Sequence, residues 1–158
     1  MLHITTALGR LIAPVLLTLV LVACSPAPSG PARIVIADAW TKATPPSAAV
    51  GAGYMTIRNE GGAAVRLLGG ETVAAERVEI HTMAMDGGVM SMRPVEGGLE
   101  VSGGGALELK PGGMHLMLIG LKQAFGEGES VPLTLVFDGG VRVETALAVR
   151  AMGGGHDH

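Results

Sequence analysis

His81-Thr82-Met83-Ala84-Met85-Asp86-Gly87-Gly88-Val89-Met90-Ser91-Met92 reads as two extended arms folded about a tight turn, and the rest of the chain follows from that reading. Asp-Gly-Gly is turn chemistry, because Gly takes positive φ freely and Asp bonds its own backbone. Side chains alternate along a strand, so His81, Met83 and Met85 share one face of the first arm, and Met90 and Met92 share one face of the second. Residues two apart stand about 6.6 Å from one another at the backbone, a gap that long thioether side chains can close. His115-Leu116-Met117 repeats the relation further on. Ile119 continues the His115 face, whereas Leu116 and Leu118 point the other way. Both faces of that segment are apolar, which places it in the middle of a sheet.

Other short segments have the same β character: Arg33–Trp40, Gly53–Arg58, Arg77–Met83, Val89–Val95, Ala106–Leu109, Pro132–Phe137 and Val141–Val149. Between them stand glycine pairs, Asn59-Glu60-Gly61 and Lys110-Pro111-Gly112-Gly113, all turn sequences. No long stretch keeps a 3.6-residue apolar period, and Gly is abundant at 25 residues, which argues against helices. Residues 33–150 suffice for one compact domain, and their evenly punctuated strands predict an all-β sandwich or barrel. The few aromatics, Trp40, Tyr54, Phe125 and Phe137, are expected to anchor its core or rim.

His81, Met92, His115 and Met117 form a donor set of imidazoles and thioethers. Thioether sulfur is soft and imidazole suits copper, so the set points to Cu(I). A closed zinc site would need Cys, His and carboxylate at spacings that are absent here. Each residue alone has a plainer reading. Met most often fills gaps in a core, and that is the default for Met83, Met85 and Met90. His115 alone would pass for a hydrogen-bonded core histidine, and His81 for a surface strand residue. The coincidence of two His-bearing strands with Met at matching parity is what favours a metal site. Met83, Met90 and Met114 are candidate auxiliary donors beside it.

The first residues of the chain read as an export signal. Arg10 precedes the apolar run Leu11–Val22, which is shorter than the roughly 20 residues a membrane span needs and has the length of a signal-peptide core. Leu21-Val22-Ala23-Cys24 resembles the bacterial lipobox, which implies cleavage before Cys24 and acylation of that residue; the alternative is a stray thiol. Residues 1–23 are thus expected to be removed, and residues 24–32 to form a flexible tether rich in Pro and Ser. Ser25 rather than Asp follows Cys24, which by resemblance to the bacterial sorting pattern favours the outer membrane. Loss of Arg10 takes the formal charge from −3 to −4. With no basic cluster, nucleic acid is not an expected partner. The mature chain has no thiol, which suits an oxidising compartment.

The ordered set His81, ten residues, Met92, then His115-x-Met117 resembles the signature of periplasmic copper chaperones of the PCu(A)C family. Further matches are Ala39-Trp40, Ala43-Thr44-Pro45-Pro46, Met92-Arg93-Pro94-Val95, Leu107–Gly113 and Gly120-Leu121-Lys122, so the resemblance runs from about Asp38 to Val149. It implies a cupredoxin-like Greek-key β-sandwich with an exposed Cu(I) site of two His and two Met. It further implies delivery of copper to the copper-site subunit of cytochrome c oxidase, beside Sco-type proteins. Many relatives are soluble, whereas the lipobox of this chain predicts a lipid-anchored protein on the periplasmic side of the envelope; it is expected to be a monomer. A copper buffer or resistance protein would use the same site, and the residues do not separate the two roles.

Catalysis is not expected. A blue-copper centre needs a Cys ligand, and Ser91 and Ser102 lack any nucleophile-elbow context. The tail at 151–158 ends in a glycine spacer and His156-Asp157-His158. Its nitrogen and oxygen donors suit Cu(II) better than Cu(I), and the plain alternative is a solvated terminus.

Overall fold

The computed structural model describes residues 29–152. The expected signal sequence, Cys24 and the tail histidines His156 and His158 lie outside the described residues. The elements are β1 (Ile34–Lys42), β2 (Val50–Asn59), β3 (Val65–Glu71), β4 (Ala75–Asp86), β5 (Val89–Pro94), β6 (Leu99–Val101), β7 (Ala106–Leu109), β8 (His115–Leu121), β9 (Ser130–Phe137) and β10 (Arg142–Arg150). A short 3-10 turn, Asp138–Gly140, joins the last two.

Neighbouring strands run β5-β4-β8-β2-β1-β10-β9-β3-β6, with β7 added to β2. One further pair, Gly70 of β3 opposite Val78 of β4, closes the ring, so the all-β, cupredoxin-like sandwich is a flattened barrel. Closure removes most free edges. Leu67, Leu116, Leu118, Leu135 and Leu147 fill the interior beside Phe125 and Phe137. These two aromatics are core anchors as expected, while Trp40 and Tyr54 are half-buried on the other face of their strands.

Two strands escape the sequence pattern. β3 contains Gly69-Gly70, a pair that reads as a turn, yet it pairs with β9 on one side and β6 on the other. Gly69 takes φ +151 at the bulge, and a Cβ on Gly70 would press on Leu133, Thr134 and Val78. The pair therefore permits a close approach of three strands. β6 is only Leu99–Val101 and has too few residues to show alternation.

The last residues of the expected tether make contacts with the domain. The Gly30 carbonyl accepts from the amides of Gly62 and Ala63, and Ala32 packs on the core. Gly30 and Ala32 are therefore held against the domain. Backbone hydrogen bonds that composition does not reveal hold this Pro/Gly segment down.

Asn59 ties this corner together. It is buried, donates through Nδ2 to the carbonyls of Ala63 (2.7 Å) and Val101 (3.2 Å), and accepts at Oδ1 from the amides of Arg33 and Gly61 (3.1 Å each). Truncation would leave the Val101 carbonyl and the Gly61 amide unpaired inside, and each such group costs about 1–3 kcal/mol. Asn59→Ala should lower the unfolding free energy by roughly 2–6 kcal/mol in urea denaturation.

Candidate metal centre

β8 lies between β4 and β2, with Ile80 opposite Leu116 on one side and Gly53 opposite Leu116 on the other. Leu116 and Leu118 are fully buried in the core, so alternation sends His115, Met117 and Ile119 to the outer face. His115 is nevertheless only 4 % exposed. Its cover is a row of rings running across the outer face. Trp40 and Tyr54 pair directly with centroids 4.6 Å apart, Tyr54 stands 6.4 Å from His115, and His115 stands 6.1 Å from His81. The Arg150 guanidinium caps the far end, 4.6 Å above Trp40. Burial raises the Tyr54 phenol above its ordinary pKa.

β4 sets the positions of the other donors. His81 pairs directly with His115 across β4–β8, and Glu79 with Met117. Beyond His81, β4 runs on past the end of β8 as the β4–β5 hairpin, where Met83 faces Met92 and Met85 faces Met90. Gly87 and Gly88 both take positive φ, the backbone of a two-residue type I′ turn. The structure thus brings His81, His115 and Met117 together on one face, with Met92 one rung outward. An open concavity there is lined by Tyr54, Met83, Met92, Gly112, His115 and Met117, among others.

Met83 therefore joins this site and is not core filler. Met114 has the opposite parity and packs against the core. Met85 and Met90 are 67 % and 61 % exposed, so neither fills the interior. Tyr54 is the site residue that sequence reading misses. Only the β2–β8 register, which sets Ala52 opposite Met117, could have revealed it.

The ring nitrogens are set up differently in the two histidines. His115 Nδ1 lies 3.1 Å from the Gly113 carbonyl, which can only accept, so Nδ1 carries the hydrogen and Nε2 keeps its lone pair. The turn at Gly112, with φ +74, presents that carbonyl. In His81, Nε2 lies 3.1 Å from Glu79 Oε2 and donates to it. Its Nδ1 is buried with no hydrogen-bond partner. The other Glu79 oxygen accepts from Arg77 Nε at 2.8 Å. The His81 hydrogen bond first, and Arg77 after it, hold the Glu79 carboxyl below its ordinary range despite some desolvation.

An orphaned buried lone pair is costly unless something binds it. A metal ion is one such partner, and the second-nitrogen hydrogen bond to a carboxylate or carbonyl is the usual way a ligating His is oriented. Among the described residues, no three His, Cys, Asp or Glu side chains cluster to hold a metal ion. Any four-donor set on this face must therefore draw on the methionines.

The profile of a family described as "Putative lipoprotein LpqE-like" matches residues 34–149. The chain belongs to the LpqE-like family. It is 27 % identical over 125 residues to "Putative lipoprotein Lxx21020" of Leifsonia xyli subsp. xyli, covering 79 % of this chain and 74 % of that one. The fold is that of PCuAC domains. The solution structure of CuI-DR1885 from Deinococcus radiodurans matches with TM-score 0.59 and 31 % identity over 82 % of this chain and 81 % of that one. The copper-bound PCuAC domain from PmoF2 matches with TM-score 0.63 and 22 % identity, over 75 % of this chain and 92 % of that one.

The hydrogen-bond geometry makes a claim that needs no metal. In long-range 1H–15N spectra of the apo domain, with both rings neutral, His115 should show the Nδ1–H tautomer and His81 the Nε2–H tautomer. The reverse pattern for either ring would refute the assignment.

Proposed function

We propose that this LpqE-like domain binds one Cu(I) through His81 Nδ1, His115 Nε2, Met92 and Met117, and acts as a copper chaperone at the cell envelope. The observation that carries this reading is the unpartnered buried Nδ1 of His81, set beside His115 on a thioether-lined face. The likeness to CuI-DR1885 and to the copper-bound PCuAC domain from PmoF2 supports it. All four donors are neutral, so they solvate a soft monovalent ion without the excess charge that would favour Zn(II). Thioethers hold Cu(I) less firmly than thiolates. An acceptor thiolate can therefore replace them one by one, each new Cu–S bond forming as an old one breaks, with no change of oxidation state.

The half-exposed rim suits such an exchange. Met92 is 47 % exposed and Val50 44 %, so the ion would sit within reach of a docking acceptor. The proposed acceptor is the copper-site subunit of cytochrome c oxidase, with a Sco-type protein as companion. Acylation of Cys24 would hold the domain at the periplasmic side of a membrane and raise its local concentration there. That placement accords with the lipoprotein named among its relatives. No reaction is catalysed in this proposal; the ion is cargo.

Met92→Leu with Met117→Leu keeps size and apolarity, and such swaps usually cost less than about 1.5 kcal/mol. The double variant should stay folded and lose tight Cu(I) binding in anaerobic competition with a chromogenic chelator. Unchanged affinity would remove the two sulfurs from the site. Cys24→Ala should leave Cu(I) binding intact while releasing the protein from the membrane fraction. In copper-starved cells, that variant should assemble oxidase copper centres poorly. If its only phenotype were sensitivity to copper excess, the protein would be a buffer and not a delivery chaperone.

A further inference from the structure

Two rungs of methionine pairs run out along the β4–β5 hairpin, and only the inner one lines the concavity. The outer rung, Met85 opposite Met90, sits next to the turn on a strand pair whose outer member is a sheet edge. The Val95 amide donates to the Ile80 carbonyl, which marks 80–95 as a hydrogen-bonded pair. Antiparallel pairs alternate, so 83–92 and 85–90 are both non-hydrogen-bonded pairs, where Cα atoms approach to about 4.5 Å and side chains lie closest. Four thioethers thus project from one face in two adjacent, tightly paired rungs.

Packing does not account for the outer rung. Met85 and Met90 are 67 % and 61 % exposed, and β8 ends its pairing with β4 at His81, short of them. Exposed apolar residues scattered singly are ordinary. A paired set, aligned with a second pair that opens on the candidate metal centre, is not scattered. Sulfur also distinguishes these residues from Leu or Val, since a thioether offers a lone pair to a soft cation.

We propose that Met85 and Met90 form a second, outer Cu(I) site. It captures the ion at the hairpin tip and passes it by Met83 and Met92 to His81, His115 and Met117. The transfer step rests on the reading of the inner site as a Cu(I) site; capture at the tip does not. Adjacent rungs are about 6.6–6.8 Å apart along the strand, within the joint reach of flexible Met side chains. Each step exchanges one Cu–S bond for another, or finally for Cu–N, and copper stays Cu(I) throughout. Two thioethers alone bind weakly, which suits a site that must let go.

The test is an anaerobic titration of the purified full chain, labelled with 13C at the Met methyls, using the acetonitrile complex of Cu(I) as probe. The first equivalent should shift the Met92 and Met117 methyls, and a second, weaker phase should shift those of Met85 and Met90. Met85→Leu with Met90→Leu keeps the hairpin apolar, so it separates metal ligation from hydrophobic docking. That variant should lose the second phase, keep the first, and load the inner site more slowly from a limiting Cu(I) donor. In Met92→Leu with Met117→Leu, the Met85 and Met90 methyls should still respond. Outer methyls that stay unmoved in excess Cu(I) would overturn the capture site. Inner loading at the wild-type rate without Met85 and Met90 would overturn the transfer step.

Discussion

The register of β4 between β5 and β8 is the constraint on which the rest of the structure depends. A slip of one residue would turn every side chain of β4 to the opposite face. It would bury His81 and Met83 in the core and push Val78 and Ile80 into solvent. Two independent devices prevent this. On one side Ile80 and Val78 lock onto Leu116 and Leu118, which are fully buried. On the other, the Gly87-Gly88 turn fixes Asp86 opposite Val89 and so sets every pair down the hairpin. The core thus places the donors, although none of the four proposed ligands is counted among the core hydrophobics.

With that register fixed, the outer face acquires its chemistry from groups that are polar only at their tips. The ring row from Trp40 to His81 shields the imidazoles laterally, while the concavity opens beside His115 on the side facing the methionines. Glu79 and the Gly113 carbonyl each take one imidazole N–H, and each thereby frees the other nitrogen. Orientation by a second hydrogen bond costs the site little, because both acceptors belong to elements that the fold already holds: β4 itself and the turn before β8.

Much of this was legible in the sequence, because the informative segment carries its own turn signal. Asp86-Gly87-Gly88 gave the hairpin, parity gave the shared faces, and the apolar double face of His115–Leu121 gave its central place between β4 and β2. The parts that were not legible depend on long-range pairing. Gly69-Gly70 looks like a turn until β4 and β9 crowd against it. Gly30 looks like linker until the loop at Gly62 donates to it. Tyr54 reads as a generic anchor, and its place over His115 follows only from the β2–β8 pairing. The filler reading of Met85 and Met90 failed because parity specifies a face without saying whether anything covers it. β5 is an edge strand, and it ends the sheet there.

X-ray absorption at the copper edge of the singly Cu(I)-loaded full chain tests the central claim most directly. The expected spectrum is that of Cu(I) with both imidazole and sulfur scatterers in the first shell, the sulfur contribution falling sharply in the Met92→Leu, Met117→Leu variant and the imidazole contribution in His81→Ala. A first shell of nitrogen and oxygen alone, or of sulfur alone, would contradict the account.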